Sequence, residues 1–293
     1  MKKSCLSIMS ALSVCTCLAV GAQAANASTR PHITIRVFAS DAIEQPLREI
    51  GYVFEKEHPN ARLHYEFTAS GIFYTAIVQG VPPDVYISAG NKYQNKLSGS
   101  SSINLASTVG YDYLALATPC YNPGQDAPIG RVTESNAVRL MTGNNAQLTI
   151  ANPELSPAGS HTMKMLSAIN SSYPGAKRSI LMRAQTVTSP AQIVSRLQAG
   201  KAQMGIVYAS QIAGQTRAGA CINGAVIPRK FNSRVEFTIS VLKKSKFHFV
   251  GPERKKLDHD FRDLVLSERG QKILKKWGFV SAKDRGSVFP GIF

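Results

Sequence analysis

Apolar residues recur with a regular alternation of spacings from residue 33 onward. Residues 33–38 and 63–67 carry apolar side chains at every second position, which predicts strands with one buried face. Between and after them, residues 43–54 and 70–77 place apolar side chains at helical spacing, and residues 84–88 read as a third strand. This strand–helix–strand–helix–strand order predicts a parallel sheet with right-handed crossovers.

A second group of elements follows in the rest of the chain. We predict a loop-rich insertion at 124–145 and one long terminal helix from Leu257 to Phe279. The length suits two α/β lobes at roughly 100–200 residues per domain. The other predicted elements are strands at 113–117, 148–151, 204–208 and 235–241 and helices after Pro157 and over 191–197.

The first residues predict export from the cytoplasm. Met1–Lys3 is basic, residues 6–20 are apolar or small, and small-x-small sites follow at 22–24 and 25–27. This order is typical of a secretory signal peptide, and the apolar run is too short to span a bilayer. We therefore expect cleavage after residue 24, or as far as residue 27, and a soluble periplasmic protein. A lipoprotein anchor at Cys15 is the alternative, although a valine precedes that cysteine where a small residue is needed.

The cysteine pattern agrees with an oxidising compartment. Cys5, Cys15 and Cys17 leave with the signal peptide, so the mature chain keeps Cys120 and Cys221. An even number of cysteines in an exported protein predicts a Cys120–Cys221 disulfide. Two separate buried thiols are the alternative. Two isolated cysteines and six scattered histidines do not have the ligand spacing of a metal site.

The charge balance is strongly basic, with 34 lysines and arginines against 18 acidic residues and a net charge of +16. The basic clusters at 243–246, 254–256 and 272–276 share their region with acidic residues, and exposed aromatic residues do not interleave them. We interpret these clusters as solvated faces that attract anions at long range. We do not expect the chain to bind nucleic acid.

Six segments span most of the mature chain and carry a resemblance to a known family. They are 35–47, Phe67–Gly71, Gly80–Ala89, Asn152–Gly159, Gly205–Ser210 and Leu274–Phe279. In order and spacing they resemble the periplasmic molybdate-binding protein family, whose members are substrate-binding components of ABC transporters. The resemblance implies a type II periplasmic binding fold in the α/β class, in which each lobe is a mainly parallel sheet flanked by helices and two crossover strands join the lobes. It also implies a first lobe at 30–110 plus 234–293 and a second lobe at 111–233.

Three turns in the predicted fold could hold a tetrahedral anion with neutral donors. They are 40–42, 69–71 and 157–160, and each joins the carboxyl end of a strand to the start of a helix. Amides at helix N-termini attract anions, and open α/β sheets bind ligands at this edge. Each turn taken alone is more often a simple helix cap.

The resemblance also implies a residue set for the ligand, which would be molybdate or tungstate. Ser70 would give its hydroxyl and amide, Ala158 its amide, and Tyr208 its hydroxyl. The family's first serine aligns with Ala42, which has no hydroxyl, and Ser40 is its possible substitute.

A further amide is expected near Ser189, where the aligned Pro190 has no N–H. Asp41 is a third departure, because a carboxylate beside an oxyanion is unfavourable unless it faces away or accepts a proton from the ligand. A hydrogen phosphate or a phosphonate could supply that proton.

Other classes of function remain as alternatives. Nucleophile, zinc-protease and phosphate-loop motifs are missing from the sequence, and His161 alone makes a poor catalytic site, so we do not expect an enzyme. A ferric-ion receptor of related fold could use Tyr111, Tyr113 and Tyr208, and an adhesin is a third possibility. For the anion receptor we expect no cofactor, a monomer, and an inner-membrane permease as partner.

Overall fold

The computed structural model describes residues 32–100, 102–103, 106–120, 133, 135–143, 147–217, 222–243 and 251–284. The strands in these residues are β1 (Ile33–Ser40), β2 (Ala61–Thr68), β3 (Val85–Ala89), β4 (Ser107–Asp112), β5 (Leu114–Pro119), β6 (Leu148–Ala151), β7 (Gln185–Val187), β8 (Met204–Tyr208), β9 (Ile222–Val226), β10 (Val235–Val241) and β11 (Val280–Ser281). The helices are α1 (Glu44–Glu57), α2 (Ser70–Val78), α3 (Lys92–Gly99), α4 (Ala137–Thr142), α5 (Pro157–Ser172), α6 (Ala176–Arg183), α7 (Pro190–Gln198), α8 (Ala209–Arg217), α9 (Pro252–Leu266) and α10 (Glu268–Lys276), and a 3-10 turn (Asp41–Ile43) precedes α1.

The strands form two sheets, and each sheet is the centre of one lobe. The first lobe contains the order β11-β4-β10-β3-β1-β2, and the second contains β7-β6-β8-β5-β9. The chain passes from the first sheet to the second at Tyr113, between β4 and β5, and it returns between β9 and β10. Residues 32–293 nevertheless form one compact unit, because the lobes also touch each other away from these crossings.

Burial explains why the central strands form where they do. All five residues of β3 are buried, which is the pattern of a strand covered by helices on both faces. In α1 the buried side chains include Leu47, Ile50 and Phe54, which share one helix face at i, i+3 and i+7. These residues belong to a core cluster that extends into both lobes. The carboxyl ends of β1 and of β8 therefore come from rigid, well-packed strands.

The structure corrects several details of the sequence prediction. The sheets are mixed: β1 is parallel to β2 and β3, whereas β10 is antiparallel to β3 and β4, because the crossover strands enter each sheet in the opposite direction. The terminal helix is two helices, since Ser267 is extended and its Oγ caps α10 by accepting from the amide of Gly270. Helix α4 lies inside the predicted loop region. Besides α4, seven elements of the described residues had not been predicted, namely α3, β4, α6, β7, α8, β9 and β11.

None of the helices in the described part of the chain is both long enough and apolar enough to cross a membrane.

Candidate functional site

The two lobes touch where the start of α2 faces the segment before α5. The amide of Gly71 donates to the carbonyl of Leu155, with 2.9 Å between N and O. The hydroxyl of Tyr93 donates to the carbonyl of Glu154 at 2.7 Å. A Cβ atom on Gly71 would lie 2.5 Å from that Leu155 oxygen, so the approach requires glycine. The cleft between the lobes is thus closed along this edge.

Ser70 lies at this edge as the first residue of α2, and it is fully buried. Its Oγ accepts from the amide of Ala89 at 3.1 Å, and its carbonyl accepts from the hydroxyl of Tyr86 at 2.8 Å. Both contacts use oxygens of Ser70 as acceptors, so its hydroxyl proton can still be donated, either toward the nearby Tyr86 hydroxyl or to a ligand oxygen. The two contacts also fix the serine in one orientation.

Ala158 is the second residue of α5 and is buried. Pro157 opens the helix, and the amide of Ser160 makes the first bond into the helix, to the carbonyl of Ser156 at 3.1 Å. The amides of Ala158 and Gly159 lie before Ser160 in the first turn of α5. Backbone N–H groups in the first turn of a helix have no partner within the helix. An anion in front of α5 would find both amides and the positive end of the helix dipole.

The turn after β1 contains the predicted residues Ser40 and Ala42, both of which are buried. Ser40 precedes the 3-10 turn without capping it through its side chain, and Ala42 can offer only its backbone amide. Between them, Oδ1 of Asp41 is buried and has no hydrogen-bond partner among the described residues. Burial raises the pKa of Asp41 above its ordinary value of 3.8. Asp41 therefore points into the protein.

The start of α7 faces Asp41 from the other lobe. Ser189 is the residue directly before the helix, its side chain makes no capping hydrogen bond, and Pro190 is the first helical residue. The hydroxyl of Ser189 and the amide of Ala191 lie near the Asp41 carboxyl group and lower its pKa against the larger effect of burial. The amide of Ala191, one residue beyond the proline, is a candidate for the amide expected near Ser189.

Tyr208 ends β8 and is buried against the ring of Phe237, with 5.4 Å between the ring centroids. Its hydroxyl is also buried and has no hydrogen-bond partner in the described part of the chain. Burial raises the pKa of Tyr208 well above 10, and the nearby carboxyl groups of Asp112 and Asp41 raise it further. The phenol therefore stays neutral and can donate one hydrogen bond.

Asp112 is a buried acid near Tyr208 that sequence reasoning missed. Its Oδ1 accepts from the amide of Tyr113 at 2.7 Å and from the amide of Ser210 at 3.4 Å. Its Oδ2 and the hydroxyl of Ser210 are buried without a hydrogen-bond partner in the described residues. Burial raises the pKa of Asp112 to about 7. A lone acidic residue at the end of a strand gives no sequence signal for such a position.

A cavity of about 190 Å³ opens beside the turn after β1. Asp41, Ala42, Ala191 and Ser210 line it, so it joins residues of both lobes. Ser70, Ala158 and Tyr208 are not among its lining residues. The structure thus groups the predicted residues in two sets, with Ser70 beside the segment before α5 and Asp41 beside the start of α7. Tyr208 lies close enough to Asp41 for that carboxyl group to raise its pKa, so Tyr208 is near the second set.

His161 has a structural environment. Its Nδ1 lies 3.1 Å from the Oγ of Ser233, and burial, together with the nearby Lys164, lowers the pKa of His161 to about 4. Across the described residues, clusters of three or more histidine, cysteine or acidic side chains that could hold a metal ion do not occur.

The basic clusters are only partly described, because residues 244–250 lie outside the described ranges. Arg254 pairs with the buried Asp84. Lys272 and Lys276 pair with Glu268 and Glu49.

The family model described as "Bacterial extracellular solute-binding protein" matches residues 35–280. The chain belongs to this family. Its members bind solutes and are not enzymes, as the sequence had predicted.

Two relatives confirm the resemblance to molybdate-binding proteins. The molybdate-binding protein ModA of Haemophilus influenzae is 25% identical over 255 residues, which cover 85% of this chain and 90% of that protein. The periplasmic molybdate-binding protein of Azotobacter vinelandii has a similar structure, with a TM-score of 0.68 and 22% identity over 84% of this chain and 98% of that one. The predicted fold class, a two-lobed α/β periplasmic binding protein of type II, is confirmed.

The fold likeness extends to proteins with other ligands in their names. The sulfate-binding protein SubI of Mycobacterium tuberculosis has a TM-score of 0.69 and 14% identity over 86% of this chain and 88% of that one. At this level of identity the comparison concerns the fold alone.

Proposed function

We propose that this chain is an exported receptor that captures a tetrahedral oxyanion and delivers it to the permease of an ABC importer. One observation supports the proposal: neutral hydrogen-bond donors lie at the edges where the two lobes contact each other. Ser70 contributes from the first lobe, and the starts of α5 and α7 contribute from the second. Donors of this kind can hold a dianion without a cationic side chain. Hinge bending would open and close the cleft.

Molybdate or tungstate is the first ligand to test, because the relatives with matching sequences are named for molybdate. Sulfate is also a dianion, so the size of the cleft and not its charge would separate these ligands. Ala42 and Pro190 each lack one donor that the family pattern supplies, and the amide of Ala191, which lies near the Asp41 carboxyl group, is the candidate to replace that of the proline.

Hydrogen phosphate or a phosphonate is the second candidate, and the buried carboxyl group of Asp41 favours it. Such an anion brings a proton that Asp41 can accept. The ferric-ion alternative loses support at Tyr111, because the guanidinium of Arg234 lies 3.8 Å from the centroid of its ring. A cation there opposes the binding of a trivalent cation.

The proposal includes the compartment and the partners. The predicted signal peptide lies outside the described residues, and the periplasmic location of the named relatives supports export. We propose that the mature chain acts as a monomer, needs no cofactor besides its ligand, does not bind nucleic acid, and presents its closed form to the inner-membrane permease.

A thermal-shift screen of the mature chain tests this function. Molybdate, tungstate, sulfate, phosphate, methylphosphonate and Fe(III) are added separately, and a ligand that binds only the folded state raises the melting temperature. We expect a rise with at least one oxyanion and no rise with Fe(III). A screen without a response to any oxyanion contradicts the proposal.

Ser70→Ala and Ser98→Ala form a matched pair for the same screen. Ser70→Ala removes a hydroxyl donor to a charged group, and we expect a loss of about 1.5–3 kcal/mol in binding. Ser98 is exposed on α3, so its variant should respond like the parent chain. Equal responses of both variants would remove Ser70 from the site.

A further inference from the structure

The environment of Asp41 is unusual for a protein that binds anions. Its carboxyl group extends from the first lobe toward the start of α7 in the second lobe, and Oδ1 is buried without a hydrogen-bond partner among the described residues. A buried carboxylate oxygen without a partner is strongly unfavourable. A group that donates a hydrogen bond to Oδ1 would relieve this.

The surrounding residues make the ionised form of Asp41 still less favourable. Among the residues that line the adjoining cavity, the charged ones are Asp41 and Glu44, both acidic. Lysine and arginine side chains are absent from that lining, as far as it is formed by described residues. An oxyanion at this end of the cleft would therefore face an ionised Asp41 with no basic side chain between them, and the two negative charges would repel each other.

A single proton would remove both the missing hydrogen bond at Oδ1 and the repulsion between the two negative charges. We propose that the bound oxyanion and the carboxyl group of Asp41 share one proton. Asp41 then selects among anions according to whether the anion or the solvent supplies that proton. This inference rests on the proposed oxyanion function. Hydrogen phosphate or a phosphonate carries the proton into the site. Molybdate is fully ionised at neutral pH, so Asp41 takes one proton from the solvent and donates it to an anion oxygen as a carboxylic acid.

The groups around Asp41 are consistent with this proton. Burial raises the pKa of Asp41, Glu44 at the start of α1 raises it further, and the donors of Ser189 and Ala191 oppose the rise. Tyr208 faces Asp41 from β8, where its high pKa keeps it a neutral donor. Asp112 is the remaining titratable group near Tyr208, and its pKa is also raised by burial, so the experiment has to separate Asp112 from Asp41.

The test measures proton uptake when molybdate binds. Titration calorimetry of the mature chain between pH 6.5 and 8.5, repeated in buffers of different ionisation enthalpy, gives both the dissociation constant and the protons taken up per anion. We expect uptake to approach one proton per molybdate, and the affinity to fall up to about tenfold per pH unit as the pH rises. Phosphate should bind with less uptake, because it carries its own proton.

Two variants assign the proton. Asp41→Asn keeps a donor that does not titrate, so its affinity for molybdate should be almost independent of pH and its proton uptake should be lost. Asp41→Ala removes the group and should lose the uptake as well, which covers the case in which the asparagine variant does not fold. Asp112→Asn should keep the uptake.

The outcomes separate this inference from the function on which it rests. Molybdate binding without proton uptake in the parent chain overturns the inference and leaves the oxyanion receptor intact. Uptake that persists in both Asp41 variants, or that disappears only in Asp112→Asn, also overturns it. A parent chain that binds none of molybdate, tungstate and phosphate overturns both.

Discussion

At the scale of single residues, Asp112 illustrates how burial sets the ionisation of a group that sequence patterns do not reveal. It is the last residue of β4, where the chain leaves the first lobe, and its two amide donors do not offset its burial. Its pKa of about 7 lies well above the ordinary value of 3.8. The folded protein therefore keeps a proton that the unfolded chain releases between these two values.

This difference predicts how Asp112→Asn changes stability with pH. Because the native state binds more protons in that window, the parent chain loses free energy of unfolding as the pH rises from 3.8 to about 7. Asparagine cannot ionise, so the variant avoids the loss. We expect its free energy of unfolding, relative to the parent, to increase by about 2–4 kcal/mol between pH 4 and pH 8. Urea denaturation at several pH values measures this difference.

Asp263→Asn is the control for that series, because the Asp263 side chain is 60% exposed. Both variants are compared with the parent at each pH, so this control corrects for the effect of the substitution itself. Burial also raises the pKa of Asp258 to about 7. Asp258 changes the free energy of unfolding with pH in the same way in every chain, so its effect cancels in the comparison. A constant difference between Asp112→Asn and the parent would contradict the prediction.

At the scale of elements, the sequence predicted those parts whose apolar spacing is unambiguous. β1, α1 and β3 were predicted close to their observed bounds, because their buried side chains follow a strand or helix period. β4 and β9 were missed because each contains a glycine and polar residues, and because pairing with β10 and β5 stabilises them. Periodicity in one segment does not report such tertiary pairing.

The candidate site divides in the same way. The positions of Ser70 and Ala158 at the starts of α2 and α5 could be predicted, because small residues at a strand–helix turn have a local signature, and their role in binding stays a prediction. The position of the Asp41 carboxyl group could not be predicted, because it depends on α7 in the other lobe. The amide of Ala191 could not be assigned either, because the sequence does not fix the residue at which α7 begins.

The β5–β9 ladder gives a prediction for the two cysteines of the mature chain. The described register ends at the Pro119–Ile222 pair, and Cys120 and Cys221 are the next residues in sequence on either side. Cys221 lies outside the described residues, so the disulfide stays a prediction. Continuation of this pairing by one residue would bring the two cysteines within bridging distance.

Alkylation followed by mass spectrometry measures this bridge. The mature chain exported to the periplasm should react at neither cysteine until a reductant is added, and at both afterwards. Reduction should lower the melting temperature, because the bridge closes a loop of roughly 100 residues and such a bridge contributes about 2–4 kcal/mol. Cys120→Ser should melt like the reduced parent. Two reactive thiols in the unreduced native chain would contradict the bridge.

At the scale of the whole molecule, the proposed function requires the lobes to close, and Gly71 is a residue at which the two lobes are in close contact. A Cβ atom there would lie 2.5 Å from the Leu155 oxygen and 2.6 Å from the hydroxyl of Tyr93. The carbonyl belongs to the backbone of the other lobe and cannot turn away as a side chain would. Gly71→Ala should therefore hold the lobes apart while leaving each lobe folded.

The expected loss follows from the contacts that closure makes. Separation breaks the bonds from Gly71 to Leu155 and from Tyr93 to Glu154, and each such bond contributes about 0.5–1.5 kcal/mol. We expect the dissociation constant for the oxyanion to rise roughly ten- to hundredfold. Small-angle X-ray scattering should show compaction of the parent chain with saturating ligand, and less compaction of the variant. Gly99→Ala is the matched control, because nothing lies within 4 Å of its Cβ position. If Gly71→Ala compacts and binds like Gly99→Ala, contact at this edge does not limit closure.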